Sequence, residues 1–343
     1  MKRFHLLPAL LLTLLLSSCL PAAPAGTSTV ALTSAASITP TFSPIVAPSA
    51  TLTPPPTSTL SPKAQRVLII SIDGLRPDGL LQSNIPRISA LINGGAASFT
   101  AQTVFPSVTL PAHASMLSGR CVSKHGINWD DYEPDKGYLQ GATVFSVAHD
   151  AGMRTVMVVG KEKLKTIARP GTVDAFQLIT SGNDEDIAQA ALQEAARGFG
   201  VLFVHLTYPD SFGHADGWMS ATYLSVIGHE DTVVGTLLDG LQSQNLMEGT
   251  LIILTADHGG HDQSHGSLMP EDMTIPWIIY GPGVVSGPPL TIPILTTDTA
   301  ATGVWALGLT IPSDWDGRPV VEAFGLNAES VPVATAAANR CAS

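Results

Sequence analysis

Charged side chains are scarce in this sequence, and positive ones are scarcer than negative ones. Asp, Glu, Lys and Arg make up 13% of the 343 residues, with 17 Lys and Arg against 28 Asp and Glu and a formal net charge of −11. Beyond the N-terminus we find no basic patch of the kind that phosphate backbones require, which argues against a nucleic-acid-binding surface. An anionic ligand would need positive charge from another source, and bound metal ions are the obvious one.

Cysteine is scarce as well. Of the three cysteines, Cys19 lies near the N-terminus, and Cys121 and Cys341 could pair outside the cell. Two cysteines do not make the disulfide framework of a small secreted domain. The fold must therefore rest on a hydrophobic core. Hydrophobic residues make up 45% of the sequence, which at this length is enough for one large α/β domain or two small ones.

The N-terminus has the pattern of an export signal. Lys2 and Arg3 precede an apolar run, Leu6–Leu16, that is too short to span a membrane comfortably. The run leads into Leu-Ser-Ser-Cys, which is similar to a bacterial lipobox ending in Cys19. We therefore expect a signal peptide over 1–19 and an exported lipoprotein, anchored in the membrane of the bacterial cell envelope by a lipid on Cys19. An ordinary signal peptide, cleaved between 22 and 25, is the alternative.

A long stretch of low complexity follows the signal. Residues 20–64 contain nine prolines, with Thr, Ser and Ala filling most of the rest. Such a composition cannot form a buried core and is typical of an extended tether, which we place at 20–65. We expect one catalytic domain over 66–326 and a short disordered tail over 327–343.

Apolar runs alternate with amphipathic segments throughout the domain. Val67–Ile72 is a continuous β-branched run, as expected for a strand buried on both faces. Similar runs occur at Thr155–Val159, Val201–Leu206, Leu251–Thr255 and Trp277–Tyr280. Helical patterns lie at Pro86–Asn93, Pro111–Leu117, Thr143–Asp150, Asp184–Arg197 and Ala221–Gln244. The alternation predicts an α/β fold with a doubly wound, mostly parallel sheet and helices on both faces.

Polar residues that can bind metal follow three of the predicted strands. Ligands of doubly wound sheets bind at the carboxyl ends of the strands, and carboxylate and imidazole are ligands that suit zinc. Taken singly, each motif could be a turn or a helix cap. Their arrival at one edge of the sheet predicts a metal site. The candidate ligands are Asp73, Asp210, His214, Asp257, His258 and His265.

A hydroxyl is predicted near the same edge. Pro111 suits the first turn of a helix, so Thr109 lies at or just before the helix N-terminus. Backbone amides and the helix dipole favour an anion at that position, and a coordinated hydroxyl there can lose its proton. The alternative is that Thr109 is only an N-cap.

Together these motifs resemble the nucleotide pyrophosphatase/phosphodiesterase family of the alkaline phosphatase superfamily. Thr109 stands in Thr-Leu-Pro-Ala-His, where the family has Thr-Phe-Pro-Asn-His, and the resemblance implies that it is the nucleophile. It implies an alkaline-phosphatase-like α/β/α sandwich and a phosphothreonine intermediate. The implied substrate is a small phosphate ester or a nucleotide. The implied cofactors are two Zn²⁺ or other divalent ions, one on Asp210, His214 and His265, the other on Asp73, Asp257, His258 and Thr109.

The sequence departs from the family pattern at two places. Family members often carry an Asn after His-Gly-Ile that helps to hold a phosphoryl oxygen. Here Asp130 takes the equivalent position and Asn128 is displaced by two, so both are candidate substrate-binding residues. His261 is an additional histidine that competes with His265 for the role of ligand.

The same motifs also bear on three other functions. A sulfatase needs a Cys or Ser followed by Pro and Arg, and Thr109 and His113 stand there instead. A phosphomonoesterase or phosphonate hydrolase would use the same two-zinc core, although no arginine near Thr109 marks a clamp for monoesters. A non-catalytic surface lipoprotein that binds metal or ligand is the alternative from another class.

Overall fold

The sheet has seven strands and is mostly parallel, as predicted. In the computed structural model, which describes residues 63–331 and 340–341, the strand order is β2-β7-β6-β1-β5-β3-β4. Strands β6, β1, β5, β3 and β4 pair in parallel, and β7 is antiparallel to both β6 and β2. The strands are β1 (Arg66–Ile72), β2 (Ala96–Gln102), β3 (Thr155–Val159), β4 (Ala175–Leu178), β5 (Val201–Leu206), β6 (Thr250–Thr255) and β7 (Thr274–Tyr280).

Helices cover both faces of this sheet. On one face α2, α6 and α7 pack against the long α8, and on the other α3, α5 and α10 pack together. Because both faces are covered, the central strands β1, β5 and β6 are almost wholly buried. The helices are α1 (Pro77–Gln82), α2 (Pro86–Gly94), α3 (Thr109–Ser118), α4 (Val122–His125), α5 (Val144–Asp150), α6 (Asp184–Ala195), α7 (Tyr208–Asp216), α8 (Ala221–Ser243), α9 (Pro270–Met273) and α10 (Asp298–Ala306).

The chain divides into two compact units, 1–56 and 57–343, and the described residues all belong to the second. The predicted signal peptide, Cys19 and the tether up to residue 62 lie outside the described residues. None of the helices in the described part of the chain is long and apolar enough to cross a membrane.

Several elements differ from their sequence-based predictions. The helix predicted from Pro111 begins two residues earlier, at Thr109. Strands β2 and β4 and helices α1, α4, α7 and α9 were not predicted. The sequence of β2, Ala-Ala-Ser-Phe-Thr-Ala-Gln, contains no apolar run, and β4 is a short, half-buried edge strand. Each lies at one edge of the sheet, where burial on both faces is not required.

Part of the predicted disordered tail is tied to the domain. Cys121 and Cys341 form a disulfide with their Cα atoms 5.3 Å apart, and the neighbouring Arg340 guanidinium donates to both carboxylate oxygens of buried Asp298. These contacts hold residues 340 and 341 against the domain, which differs from the prediction of disorder for 327–343. The sequence could offer the two cysteines only as a possible pair, because partners separated by 220 residues leave no local pattern. Such a link typically stabilises a domain by about 2–4 kcal/mol.

Candidate active site

The candidate residues meet at the carboxyl ends of four adjacent strands. Asp73 follows β1, Lys161 follows β3, and Asp257 follows β6, while α7 begins two residues after β5 and carries Asp210. These strands are neighbours in the order β6-β1-β5-β3. The parallel arrangement therefore places side chains from distant parts of the sequence at one edge, as expected for an open sheet.

One group of ligands lies deep at this edge. It consists of Asp73, Asp257 and His258, all with no solvent exposure, and their ligand atoms lie within 4.8 Å of one another. The imidazole Nε2 of His258 is 3.4 Å from Asp73 Oδ1 and 3.3 Å from Asp257 Oδ2. The backbone N–H groups of Gly74 and His258 donate to Asp257 Oδ1, which fixes that carboxylate and leaves its second oxygen facing the group.

The second group lies closer to solvent. It consists of Asp210, His214 and His265, and its ligand atoms also fall within 4.8 Å of one another. Both imidazole Nε2 atoms are 3.4 Å from Asp210 Oδ1 and 3.1 Å from each other. The structure thus divides the six candidate ligands into the same two sets that the family resemblance implies.

The histidine rings are oriented for metal binding. A carbonyl oxygen can only accept, so each Nδ1 donates its proton to the backbone: His258 to Gly259 (2.8 Å), His214 to Gln263 (2.9 Å) and His265 to Ser107 (3.0 Å). This tautomer leaves the lone pair of every Nε2 directed into the site, as in metal-ligating histidines.

Several buried polar atoms of the two groups lack a hydrogen-bond partner, as expected of atoms that bind cations. Buried polar atoms almost always have a hydrogen-bond partner. Within the part of the chain that the structure describes, four atoms of the two groups have none: Asp73 Oδ1, Asp210 Oδ1, Asp257 Oδ2 and His258 Nε2. Three of them are carboxylate oxygens, which need a positively charged partner. The donor set of Asp and His is one that zinc accepts.

His261 does not belong to either group. Its Nδ1 donates to Asp272 Oδ1 at 2.7 Å, and Asp272 Oδ2 accepts from the N–H of Ser267 at 2.8 Å. His261 therefore holds the loop that carries His265, and of the two histidines it is His265 that joins a ligand group.

Thr109 is the first residue of α3, and its side chain is buried. Val108 holds the N-cap position, and the N–H of Leu110 donates to Asp130 Oδ1 at 2.8 Å. The alternative interpretation of Thr109 as an N-cap therefore does not describe this helix. Its hydroxyl Oγ1 lies 3.3 Å from the ammonium of Lys161, at the same edge as the two ligand groups.

The two candidate substrate-binding residues have different surroundings. Asn128 is exposed, whereas Asp130 has both carboxylate oxygens engaged, one by Leu110 and the other by Lys163 Nζ at 2.6 Å. Asp130 thus serves α3 as a capping carboxylate. That role was not predicted, because Asp130 lies 20 residues after the amide that it accepts from.

Two residues at the site were missed in the sequence. Lys161 Nζ lies 2.6 Å from Asp73 Oδ2 and 2.6 Å from Asp210 Oδ2, so one ammonium contacts a carboxylate of each ligand group. His205 on β5 contacts Asp73 Oδ2 at 2.9 Å. Lys161 follows β3 as Asp73 follows β1. Because ligands bind at the carboxyl ends of the strands, the position of Lys161 after a predicted strand was a signal for a site residue.

The crowding of charge shifts the pKa values of the carboxyl groups. Burial, and then the negative charge of Asp73, raise the pKa of Asp257 to about 7. Burial alone would also raise the pKa of Asp73, but Lys161 and His205 outweigh it and hold this pKa well below its ordinary value. Of the three aspartates in the ligand groups, Asp257 is therefore the one whose carboxylate protons occupy most readily, and a cation that binds there must displace the proton.

Comparison with known proteins assigns the family. The profile of type I phosphodiesterase/nucleotide pyrophosphatase matches residues 67–271, which is more than half of the chain and includes every candidate site residue. The chain belongs to this family. The resemblance found in the sequence is thereby confirmed.

Curated relatives of this type I phosphodiesterase family member are considerably longer. The chain is 28% identical over 284 residues to the catalytic subunit of GPI ethanolamine phosphate transferase 2 of Homo sapiens, covering 76% of this chain and 28% of the relative. It is 28% identical over 220 residues to ectonucleotide pyrophosphatase/phosphodiesterase family member 3 of Bos taurus, covering 56% and 24%. The chain spans less than half the length of these relatives.

Solved structures confirm the alkaline-phosphatase-like fold. Murine ectonucleotide pyrophosphatase/phosphodiesterase 5, solved as an inactive variant with AMP, superposes with a TM-score of 0.65 at 15% identity, covering 76% of this chain and 98% of that one. A phosphonate monoester hydrolase from Silicibacter pomeroyi gives a TM-score of 0.60 at 18% identity, with 77% of each chain covered. At these identities the likeness concerns the fold alone.

Proposed function

We propose that this protein is a metal-dependent phosphoric ester hydrolase of the phosphodiesterase or nucleotide pyrophosphatase type. One observation carries the proposal: a buried hydroxyl, Thr109, shares the ammonium of Lys161 with a carboxylate from each of two ligand groups. A nucleophile beside two divalent sites is an arrangement that supports in-line phosphoryl transfer. Family membership supports the same reaction class.

The two ligand groups would each hold one divalent ion. Asp210, His214 and His265 would hold one divalent ion, and Asp73, Asp257 and His258 the other. Bound there, such ions lower the pKa of a neighbouring hydroxyl and neutralise charge on a phosphoryl group.

Thr109 attacks the phosphorus atom, and the ester oxygen opposite leaves as an alcohol. The phosphothreonine lies at the positive end of α3, whose dipole stabilises its negative charge. Water then cleaves the phosphothreonine and regenerates the hydroxyl.

A second candidate reaction is phosphoryl-group transfer to an alcohol. The human relative that matches over 284 residues is named as an ethanolamine phosphate transferase. The same phosphothreonine would pass its group to an acceptor hydroxyl instead of water. A phosphomonoesterase or phosphonate hydrolase, and a non-catalytic binding protein, are the remaining alternatives.

A substrate panel with metal analysis tests the proposal. We expect about two zinc ions per chain, loss of activity with a chelator and recovery with added zinc. The panel consists of bis-p-nitrophenyl phosphate, p-nitrophenyl phosphate and a nucleotide p-nitrophenyl ester, each with and without glycerol as an acceptor alcohol. Fully active protein with no more than one transition metal per chain would refute the two-metal site. Transfer to glycerol that exceeds hydrolysis at a low glycerol concentration would favour the transferase.

We also propose that Cys19 carries a lipid that anchors the protein to the membrane. The proposal rests on the lipobox-like sequence and the proline-rich tether after it. Labelling with a radioactive fatty acid should mark the wild type and not Cys19→Ala. An unlabelled and wholly soluble wild type would refute the anchor.

A further inference from the structure

Lys161 occupies the centre of the site but takes no part in the bond-making steps of the proposed reaction. It follows Gly160, where an added Cβ would lie only 2.4 Å from Thr207 Cγ2. The end of β3 therefore packs tightly against the end of β5, just before α7. This close approach brings the ammonium within 2.6 Å of Asp210 and Asp73 and 3.3 Å of the Thr109 hydroxyl.

The two carboxylates that Lys161 contacts belong to the proposed metal-binding groups. When they bind cations, they no longer neutralise the ammonium, which is mostly shielded from solvent. A charged group in such a position needs another anionic partner. Thr109 is its third contact, and the group that arrives at Thr109 in the proposed reaction is a phosphoryl group with negatively charged oxygens.

Other side chains near α3 cannot supply this contact. Asp130 is itself an acceptor, and both of its oxygens are engaged by Leu110 and Lys163. Arg120 follows the C-terminal end of α3 and donates to the carbonyl of Gln140. Among the described residues, Lys161 is the cationic side chain in contact with Thr109.

The net charge of the site bears on its substrate. While Thr109 still carries its proton, three aspartates and two divalent ions would leave one positive charge, which matches the single negative charge of a phosphodiester. The ammonium of Lys161 brings the total to two, which matches the two negative charges of a phosphomonoester near neutral pH. With Lys161, the positive charge of the site therefore matches the charge of a phosphomonoester and not that of a phosphodiester.

We propose that Lys161 binds a non-bridging oxygen of the phosphoryl group at Thr109 and favours phosphoryl groups that carry two negative charges. The proposal rests on the proposed hydrolase function, and it names the phosphomonoester, or a terminal phosphate, as the substrate class that depends most on this lysine.

The test compares Lys161→Met with Lys165→Met in the full chain purified with zinc. Lys165 lies on the same short helix, Glu162–Thr166, and its ammonium stacks over the ring of Tyr132, so it is a matched control. We expect Lys161→Met to keep two zinc ions and to weaken competitive inhibition by inorganic phosphate by about 10–100-fold, the effect of one hydrogen bond to a charged group. Its kcat/KM should fall more for p-nitrophenyl phosphate than for bis-p-nitrophenyl phosphate, whereas Lys165→Met should match the wild type.

Three results would overturn the proposal. Inhibition by phosphate could be unchanged in zinc-loaded Lys161→Met, the variant could lose a metal ion, or both esters could be affected equally. A wild type that hydrolyses neither ester would instead refute the proposed function. Should Lys161→Met not fold, Lys161→Gln provides a second variant, and calorimetric titration with inorganic phosphate provides a measurement that does not depend on turnover. Phosphate should bind zinc-loaded Lys161→Gln about 10–100-fold more weakly than it binds the wild type or Lys165→Gln, and equal affinities would overturn the proposal.

Discussion

Thr109→Ala is expected to lower the turnover rate by roughly 10⁴-fold or more, the scale on which the loss of a catalytic nucleophile acts in other enzymes. The variant should still bind two zinc ions, because the six Asp and His ligands remain. It should also remain folded, since Val108 holds the N-cap position and Asp130 satisfies the N–H of Leu110. Turnover per folded molecule, zinc content and melting temperature measure the three expectations together.

Two further variants make this result specific. Thr109→Ser keeps a hydroxyl at the first position of α3 and should retain measurable activity. Ser118→Ala removes a buried hydroxyl, one without a hydrogen-bond partner among the described residues, from the last position of the same helix. It should leave the rate unchanged. A folded, zinc-loaded Thr109→Ala enzyme with a rate near that of the wild type would contradict the mechanism and leave water as the nucleophile.

Asp257→Asn should remove one of the two metal ions and lower activity by about 10³-fold, which corresponds to several kcal/mol of charge stabilisation. Asparagine keeps the shape of the side chain but not the charge of Oδ2, the buried oxygen that lacks a hydrogen-bond partner among the described residues. Asp239→Asn is the control, because Asp239 is an exposed carboxylate paired with Arg87. Metal analysis and the rate with bis-p-nitrophenyl phosphate measure the outcome.

The pH dependence of zinc uptake gives Asp257 a second readout. With its pKa at about 7, the carboxyl group must lose a proton on binding zinc below pH 7, so the affinity for zinc falls as the pH falls. Asp257→Asn should lose this contribution. Two zinc ions and an unchanged rate in the variant would show that Asp257 is not a ligand.

The central strands were predictable because their burial is continuous. Thr155–Val159 and Val201–Leu206 are observed with the predicted bounds, since an uninterrupted apolar run can be satisfied only between two layers of helices. The edge strand β4 (Ala175–Leu178) and the alanine-rich β2 (Ala96–Gln102) have no such run. Their pairing depends on neighbours that are distant in the sequence.

At the site, the ligands that directly follow strands were the easiest to predict. Asp73 and Asp257 follow two adjacent strands, so the sheet itself brings them together. Lys161 obeys the same rule, but a single lysine after a strand is more often a solvent-exposed charge. The orientation of the imidazole rings, set by backbone carbonyls such as that of Ser107, requires coordinates because no sequence pattern encodes it.

The disulfide between Cys121 and Cys341 has a topological consequence. It closes the chain into a covalent ring that begins three residues after α3 and ends two residues before the last residue of the sequence. One peptide bond cut by a protease anywhere inside this ring releases no fragment, because the pieces stay joined through sulfur. Asp210, Asp257 and their partner histidines lie within the ring, whereas Asp73 and Thr109 lie before it. A nicked molecule in an oxidising compartment therefore keeps all its candidate ligands on one covalent body until the disulfide is reduced.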